Sequence, residues 1–280
     1  MRIKKIGVVG SGTMGGAIAA LAASAGVPVV MLDIPGQEDK LELVKKGLER
    51  QLKSKPASFM DKSRASLIEL GTTDELEKLK DCDWIVEVII EKPEPKQALF
   101  ARLEALGTQA IVSSNTSGIP MKTLLEGRGE AFRKRFLGTH FFAPVRYLHL
   151  LELIPTPETD PAVLEAMRRF GERILGKGTV ICKDAPGFIA NRLGVFGMAQ
   201  AMRLMMSEGL TIDEVDALTG PLVGRPKSAT FRTGDISGLD VLKLVSTELS
   251  HTTGEDFRMP DWVEDLIQQG YLGEKTGAGF

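Results

Sequence analysis

The sequence predicts an α/β Rossmann-type N-terminal domain with a mostly parallel sheet, followed by an all-α C-terminal domain. Three features of the chain point to it. Residues 6–33 read as strand, glycine turn, helix and strand, a βαβ unit that implies parallel strands and a right-handed crossover. Strand and helix patterns then keep alternating to residue 184, as in an open α/β sheet. From Pro186 onward the pattern is helical almost throughout, with no convincing strand pair in 185–280. The domains are therefore placed at 1–184 and 185–280.

Each element has its own signal. Residues 6–9 are a short apolar run ending at Gly10. From Met14 to Ala25 nearly every residue is small or apolar and none is proline, the character of a buried helix, and Gly26 ends it. VPVVMLD (27–33) is a second apolar strand, closing on Asp33. Residues 41–70 read as one charged amphipathic helix, with Leu41, Val44, Leu48 and Leu52 spaced by three and four. CDWIVEVII (82–90) is strand-like, EPKQALFARLEALG (94–107) helical, and QAIVSSNTS (109–117) a strand leading into a polar turn. RFLGTHFF (135–142) and YLHLLELI (147–154) are further strands flanking a turn-like APVR, and residues 160–184 are a helix followed by a short strand.

Composition narrows the function classes. With 280 residues, 43% of them hydrophobic, the chain can bury a sizeable core in two domains. A formal net charge of −2 argues against nucleic acid or an anionic membrane as the main partner, since such surfaces usually leave a basic excess. No apolar run approaches the ~18–20 residues of a membrane span, and MRIKKIGVVGSG enters a strand directly, unlike a signal peptide. Cys82 and Cys182 lie outside any CxxC or Cys/His cluster, so the expectation is two reduced thiols in a cytoplasmic protein, with no metal.

GSGTMG (10–15) matches GxGxxG, follows a strand and opens a helix. In a dinucleotide fold Gly10 permits the tight turn, Gly12 lets the pyrophosphate approach the backbone, and Gly15 lets helix and strand pack closely. The phosphates then sit at the helix N-terminus, beside Thr13 and Met14, where free N–H groups favour an anion. Asp33, eighteen residues after Gly15, would accept hydrogen bonds from the adenosine ribose and repel a 2′-phosphate. The expected cofactor is therefore NAD rather than NADP. A tight turn with no ligand is the other reading of the same glycines.

The three histidines are His140, His149 and His251, and a lone histidine is more often structural than catalytic. His140 stands apart. It ends a strand-like run, where open α/β sheets bind ligands, and it precedes an apolar, proline-stopped FFAP. Glu152 follows twelve residues later, after the turn that could bring it back. An acid amid leucines is costly to bury unless paired. Oxidising an alcohol needs a base near neutral pKa, and a carboxylate on the far nitrogen of a histidine fixes its tautomer.

Seven stretches in order carry a resemblance over essentially the whole chain: GSGTMG, VEVIIEKPEPKQALF, SSNTSG, THFFAPVRYLHLLELI, KDAPGFIANRL, GRPKSATFRTGDISGLD and GYLGEKTGAGF. The sequence resembles the L-3-hydroxyacyl-CoA dehydrogenase family. GRPKSATFRT looks most like the branch fused to an enoyl-CoA hydratase, and the stop at GAGF suggests a fragment of such a larger chain. The resemblance implies NAD in the first domain, an acyl-CoA substrate between the two, and oxidation of its 3-hydroxyl to a ketone in fatty-acid β-oxidation. It implies His140 as base and Glu152 as its partner. Ser117 would bond near the substrate oxygen and nicotinamide, and Asn191 would orient the substrate. Glu91 and Lys96 match positions lining the cofactor and CoA sites, and Lys275 a lysine that reaches toward NAD. Chains of this length in the family often form homodimers through the helical domain.

Each residue also has a plainer reading. Ser117 and Asn115 fit a turn cap, Asn191 an ordinary helix position, Glu91 a helix cap, and Lys96 a surface lysine. The chain departs from the family at Ala143, where asparagine is usual after HFF, and at Gly118, where SNTSS is usual. Losing one polar contact to a reacting substrate costs about 1–3 kcal/mol. Two alternatives follow: a dehydrogenase of a small non-CoA 3-hydroxy acid, and an NAD-binding relative with weakened catalysis.

Overall fold

In the computed structural model, which describes residues 2–280, eight strands form a single sheet. They are β1 (Ile6–Val9), β2 (Val29–Asp33), β3 (Ile68–Thr72), β4 (Trp84–Glu87), β5 (Ile111–Ser114), β6 (Phe136–Phe141), β7 (Leu150–Pro155) and β8 (Gly178–Ile181). Their spatial order is β3-β2-β1-β4-β5-β6-β7-β8. Every neighbouring pair is parallel except β6 and β7, which run antiparallel. β1, β4 and β5 are buried along their whole length, as strands covered on both faces must be; β1 is apolar throughout, while β4 and β5 start apolar and end on the buried polar residues Glu87, Ser113 and Ser114.

The helices accompanying the sheet are α1 (Thr13–Ser24), α2 (Glu42–Lys53), α3 (Pro93–Ala105), α4 (Met121–Leu124), α5 (Glu130–Arg133) and α6 (Pro161–Arg173). α1 can lie close to the sheet because its buried residues are alanine, glycine, isoleucine and leucine. In the same hydrophobic cluster Trp84 stacks on Phe141 at 6.4 Å between ring centres and meets Phe170 of α6 edge-on at 5.7 Å.

Residues 41–70 are not one helix. α2 ends at Lys53, Ser54 is extended, and Pro56 has no N–H to continue the ladder. A 3-10 turn over Lys62–Leu67 follows, capped by Asp61 accepting the Ser63 N–H, and Ile68–Thr72 is the edge strand β3. The leucine spacing stops at Leu52. The strand beyond it exposes Glu69 and buries Ile68, so its apolar signal is weak.

The chain divides into two compact units, one ending at Ala185 and the other running Pro186–Phe280. The second holds α7 (Ala190–Glu208), α8 (Ile212–Thr219), α9 (Phe231–Ser237), α10 (Leu239–Thr253) and α11 (Asp261–Gln268). Its core gathers Met198, Met202, Val215, Phe231, Leu239, Leu242 and Val263, with Trp262 and Phe280 packed against them. Thr211 and Glu214 form a reciprocal capping box at the start of α8. Among the described residues no helix is long and apolar enough to cross a membrane, and no group of three His, Cys, Asp or Glu could hold a metal ion.

Candidate active site

Several polar residues of the first unit lie at the carboxyl ends of its strands. Asp33, Glu87 and Ser114 are the last residues of β2, β4 and β5, and His140 is the last but one of β6. Strand order reverses between β1 and β4, and such a switch point opens a crevice.

In that crevice Gly10 has φ +105°, and a Cβ there would sit 2.4 Å from the Val88 carbonyl oxygen. Gly12 has nothing within 4 Å of a Cβ position, so its backbone is open to a ligand. α1 begins at Thr13 and Met14 with no side-chain cap and no acid in its first turn, leaving its N–H groups for an anion. A slot of about 540 Å³ lies beside them, walled by Gly10, Asp33, Ile34, Ile89, Leu99 and Arg102. An open glycine, an uncapped helix start and an apolar slot edged by one carboxylate fit a dinucleotide. Asp33 Oδ2 accepts the Ser11 N–H at 2.7 Å and the Ser11 hydroxyl at 2.5 Å, and Oδ1 accepts the Ile34 N–H at 2.8 Å.

A second cluster joins β4, β5 and α3. Lys96 is buried, with Nζ 2.6 Å from Glu87 Oε1 and 3.1 Å from Glu91 Oε2. Glu87, wholly buried, also accepts the Ser114 hydroxyl at 2.5 Å and the Ile89 N–H at 2.7 Å. Glu91 accepts the Ser117 N–H at 2.8 Å and the Thr116 hydroxyl. Burial lifts the Glu87 carboxyl above its ordinary range, against the pull of Lys96. Burial acts on Glu91 in the same sense, but Lys96, Thr116 and Ser117 together outweigh it and hold that carboxyl low. So Glu91, Lys96 and Ser117 are brought together, and Lys96 is no surface lysine. Its ammonium reaches the site through Glu91, whose side chain is 46% exposed.

The third cluster is the ladder between β6 and β7. His140 and Glu152 are directly opposite in register and so share a face. His140 Nδ1 is 2.7 Å from Glu152 Oε2, with both side chains buried. Phe142 meets the imidazole edge-on at 4.4 Å. Asn115 Oδ1 accepts the Phe141 N–H at 2.9 Å, tying the turn after β5 to the end of β6. Burial and the neighbouring Glu152 charge push the Cys182 thiol up to about 12.

Asn191 and Lys275 belong to the second unit. Asn191 is in the first turn of α7, half-buried, and the Lys275 ammonium pairs with Asp240 at 2.5 Å. Sequence reasoning missed Ser11 and Glu87. Glu87 had one signal, an acid inside the apolar run WIVEVII, and Ser11 was the single polar side chain between two glycines of the turn.

A doubly wound sheet with a slot that fits a dinucleotide at its switch point defines a Rossmann-type dinucleotide-binding protein. The family described as "3-hydroxyacyl-CoA dehydrogenase, NAD binding domain" matches residues 5–185, and "3-hydroxyacyl-CoA dehydrogenase, C-terminal domain" matches residues 187–280. The chain belongs to the 3-hydroxyacyl-CoA dehydrogenase family and is NAD-dependent. It is 52% identical to a "Probable 3-hydroxyacyl-CoA dehydrogenase" of Deinococcus radiodurans, over 100% of this chain and 83% of that one. A Bacillus subtilis protein of the same name is 45% identical over 99% of this chain, which spans only 38% of it. The crystal structure of the (S)-3-hydroxybutyryl-CoA dehydrogenase of Ralstonia eutropha aligns with TM-score 0.83 and 30% identity, over 99% of this chain and 98% of the other.

Proposed function

We propose that this chain oxidises the 3-hydroxyl of an L-3-hydroxyacyl-CoA to a ketone, a β-oxidation step, with His140 as the base. The observation that carries the proposal is the buried 2.7 Å contact between His140 Nδ1 and Glu152 Oε2. With Nδ1 held by a carboxylate, the proton-accepting atom is Nε2, and the imidazolium that forms is stabilised by Glu152. The apolar strands around the pair strengthen that attraction. NAD, when bound, supplies the hydride acceptor. In the reductive direction the protonated His140 returns the proton to the substrate oxygen.

The other residues position. Ser117 would bond near the substrate oxygen and nicotinamide. The turn residues Gly10, Gly12, Thr13, Met14 and Gly15 would hold the pyrophosphate, and Asp33 the ribose. Glu91, kept ionised by Lys96, would face the cofactor. Asn191 and Lys275 are proposed as substrate and cofactor contacts on the strength of their motifs. A homodimer through the second unit is part of the same reading. Leu193 and Leu204 on α7 are 66% and 58% exposed and Leu244 on α10 is 68% exposed, which suits burial against a second copy. A cytoplasmic location also belongs to it, supported by two free thiols.

Turnover with NAD of 3-hydroxybutyryl-CoA beside free 3-hydroxybutyrate tests the substrate class. The CoA ester is expected to turn over and the free acid to be a poor substrate. Equal rates would remove the acyl-CoA from the proposal.

A further inference from the structure

A carboxylate offers about four lone-pair directions, and this chain already fills three of those on Asp33. The Ser11 N–H and hydroxyl take Oδ2, and the Ile34 N–H takes one site on Oδ1. One direction remains, whereas an adenosine ribose presents two hydroxyls. A second ribose bond therefore needs a protein donor to let go. The two backbone N–H groups are fixed by the turn after β1 and the end of β2. The Ser11 hydroxyl can rotate, and it has another acceptor, the Leu43 carbonyl of α2 at 3.2 Å.

Gly47 maintains this arrangement independently. It lies in the middle of α2, where glycine is unfavourable. A Cβ at Gly47 would come 2.4 Å from Ser11 Oγ and 2.6 Å from Ser11 Cβ. The helix thus gives up a side chain where Ser11 sits, and Ser11 itself is buried.

We propose that Ser11 is a positioning residue that competes with the adenosine ribose for Asp33. Its hydroxyl occupies the carboxylate while the site is empty and turns to the Leu43 carbonyl when the ribose binds. Exchanging a bond to a charged acceptor for one to a neutral carbonyl weakens the cofactor complex by about fivefold and speeds its dissociation accordingly. The proposal rests on reading Asp33 as the ribose acceptor.

The test titrates the full chain with NADH and with its analogue lacking the adenosine 2′-hydroxyl, for wild type and Ser11→Ala, by fluorescence. Stopped-flow dissociation is measured alongside. Ser11→Ala is expected to bind NADH about fivefold more tightly, through slower dissociation, and to bind the deoxy analogue as wild type does, because one hydroxyl needs only the free Oδ1 site. An equal gain with both ligands, no gain, or weaker NADH binding overturns the competition. Asp33→Asn is titrated with NADH separately: it is expected to weaken binding, and unchanged affinity would remove the ribose assignment of Asp33 itself, an outcome distinct from the other three.

Discussion

Glu152 is fully buried in a strand of leucines because β6 presents His140 directly across from it. Both partners were legible in the sequence, where the turn-like APVR implied a return of the chain. Glu87 was not. Its partners Lys96 and Ser114 lie nine and 27 residues away on other elements, and nothing in the local pattern says which lysine a buried acid will meet. Its titration is a testable consequence. Burial raises the folded carboxyl above its ordinary 4.5, so just above that pH the folded chain keeps a proton that the unfolded chain has lost. The stability Glu87 contributes is therefore full below 4.5 and falls as pH rises through the folded value. Glu91 has the opposite sign, its contribution lost as pH falls through its lowered value. Glu87→Gln should flatten the decline above 4.5, as read by urea unfolding followed through Trp84 in a Trp262→Phe background. An unchanged slope would remove Glu87 as its source. The two thiols are a further case. Burial lifts Cys82 and Cys182 each to about 12, with Glu152 adding to the second. Native protein at about pH 8 should label with iodoacetamide far more slowly than unfolded protein at both positions. Rapid native labelling of Cys182 would contradict its placement against Glu152.

At the scale of elements, the buried parallel strands and α1 were readable because the strands start as short apolar runs, α1 is nearly all small or apolar, and each is bounded by glycine or a polar turn. The edge strand β3 was not, because it is half solvated; Pro56 was the one local signal that 41–70 could not run as a single helix. α2 also shows where propensity and packing disagree. Gly47→Ala should favour the helix by about 1 kcal/mol on propensity alone. The Ser11 backbone oxygen, 2.5 Å from the new Cβ, should reverse that sign, since crowding a packed site costs about 1–3 kcal/mol. Thermal unfolding is expected to show a Tm lower by a few degrees, and a higher Tm would mean that α2 and the glycine turn do not press together. In the second unit, Thr211→Ala should cost about 1 kcal/mol by opening the capping box at α8.

For the whole molecule, the change from alternating strands and helices to helices alone was visible near Pro186. The two family matches end at 185 and resume at 187. The function of the helical unit was much less legible from periodicity, since its residues show only that they pack. Asn191 and Lys275 stand out through their motifs alone. The exposed leucines of α7 and α10 give one property of the intact protein that can be measured directly. Leu193→Glu with Leu244→Glu should shift sedimentation toward the monomer while leaving the fold intact, because both side chains are more than 60% exposed in a single chain. A wild-type protein that sediments as a monomer would remove the dimer from the account.

The central claim is that His140, held by Glu152, moves the substrate proton. It is tested most directly by kcat for NADH-dependent reduction of acetoacetyl-CoA in wild type, His140→Gln and Glu152→Gln, with NADH affinity measured in parallel. Loss of the base should lower kcat by about 10²–10⁴, with a smaller loss for Glu152→Gln, and leave NADH binding nearly unchanged. Wild-type kcat in either variant would contradict the assignment.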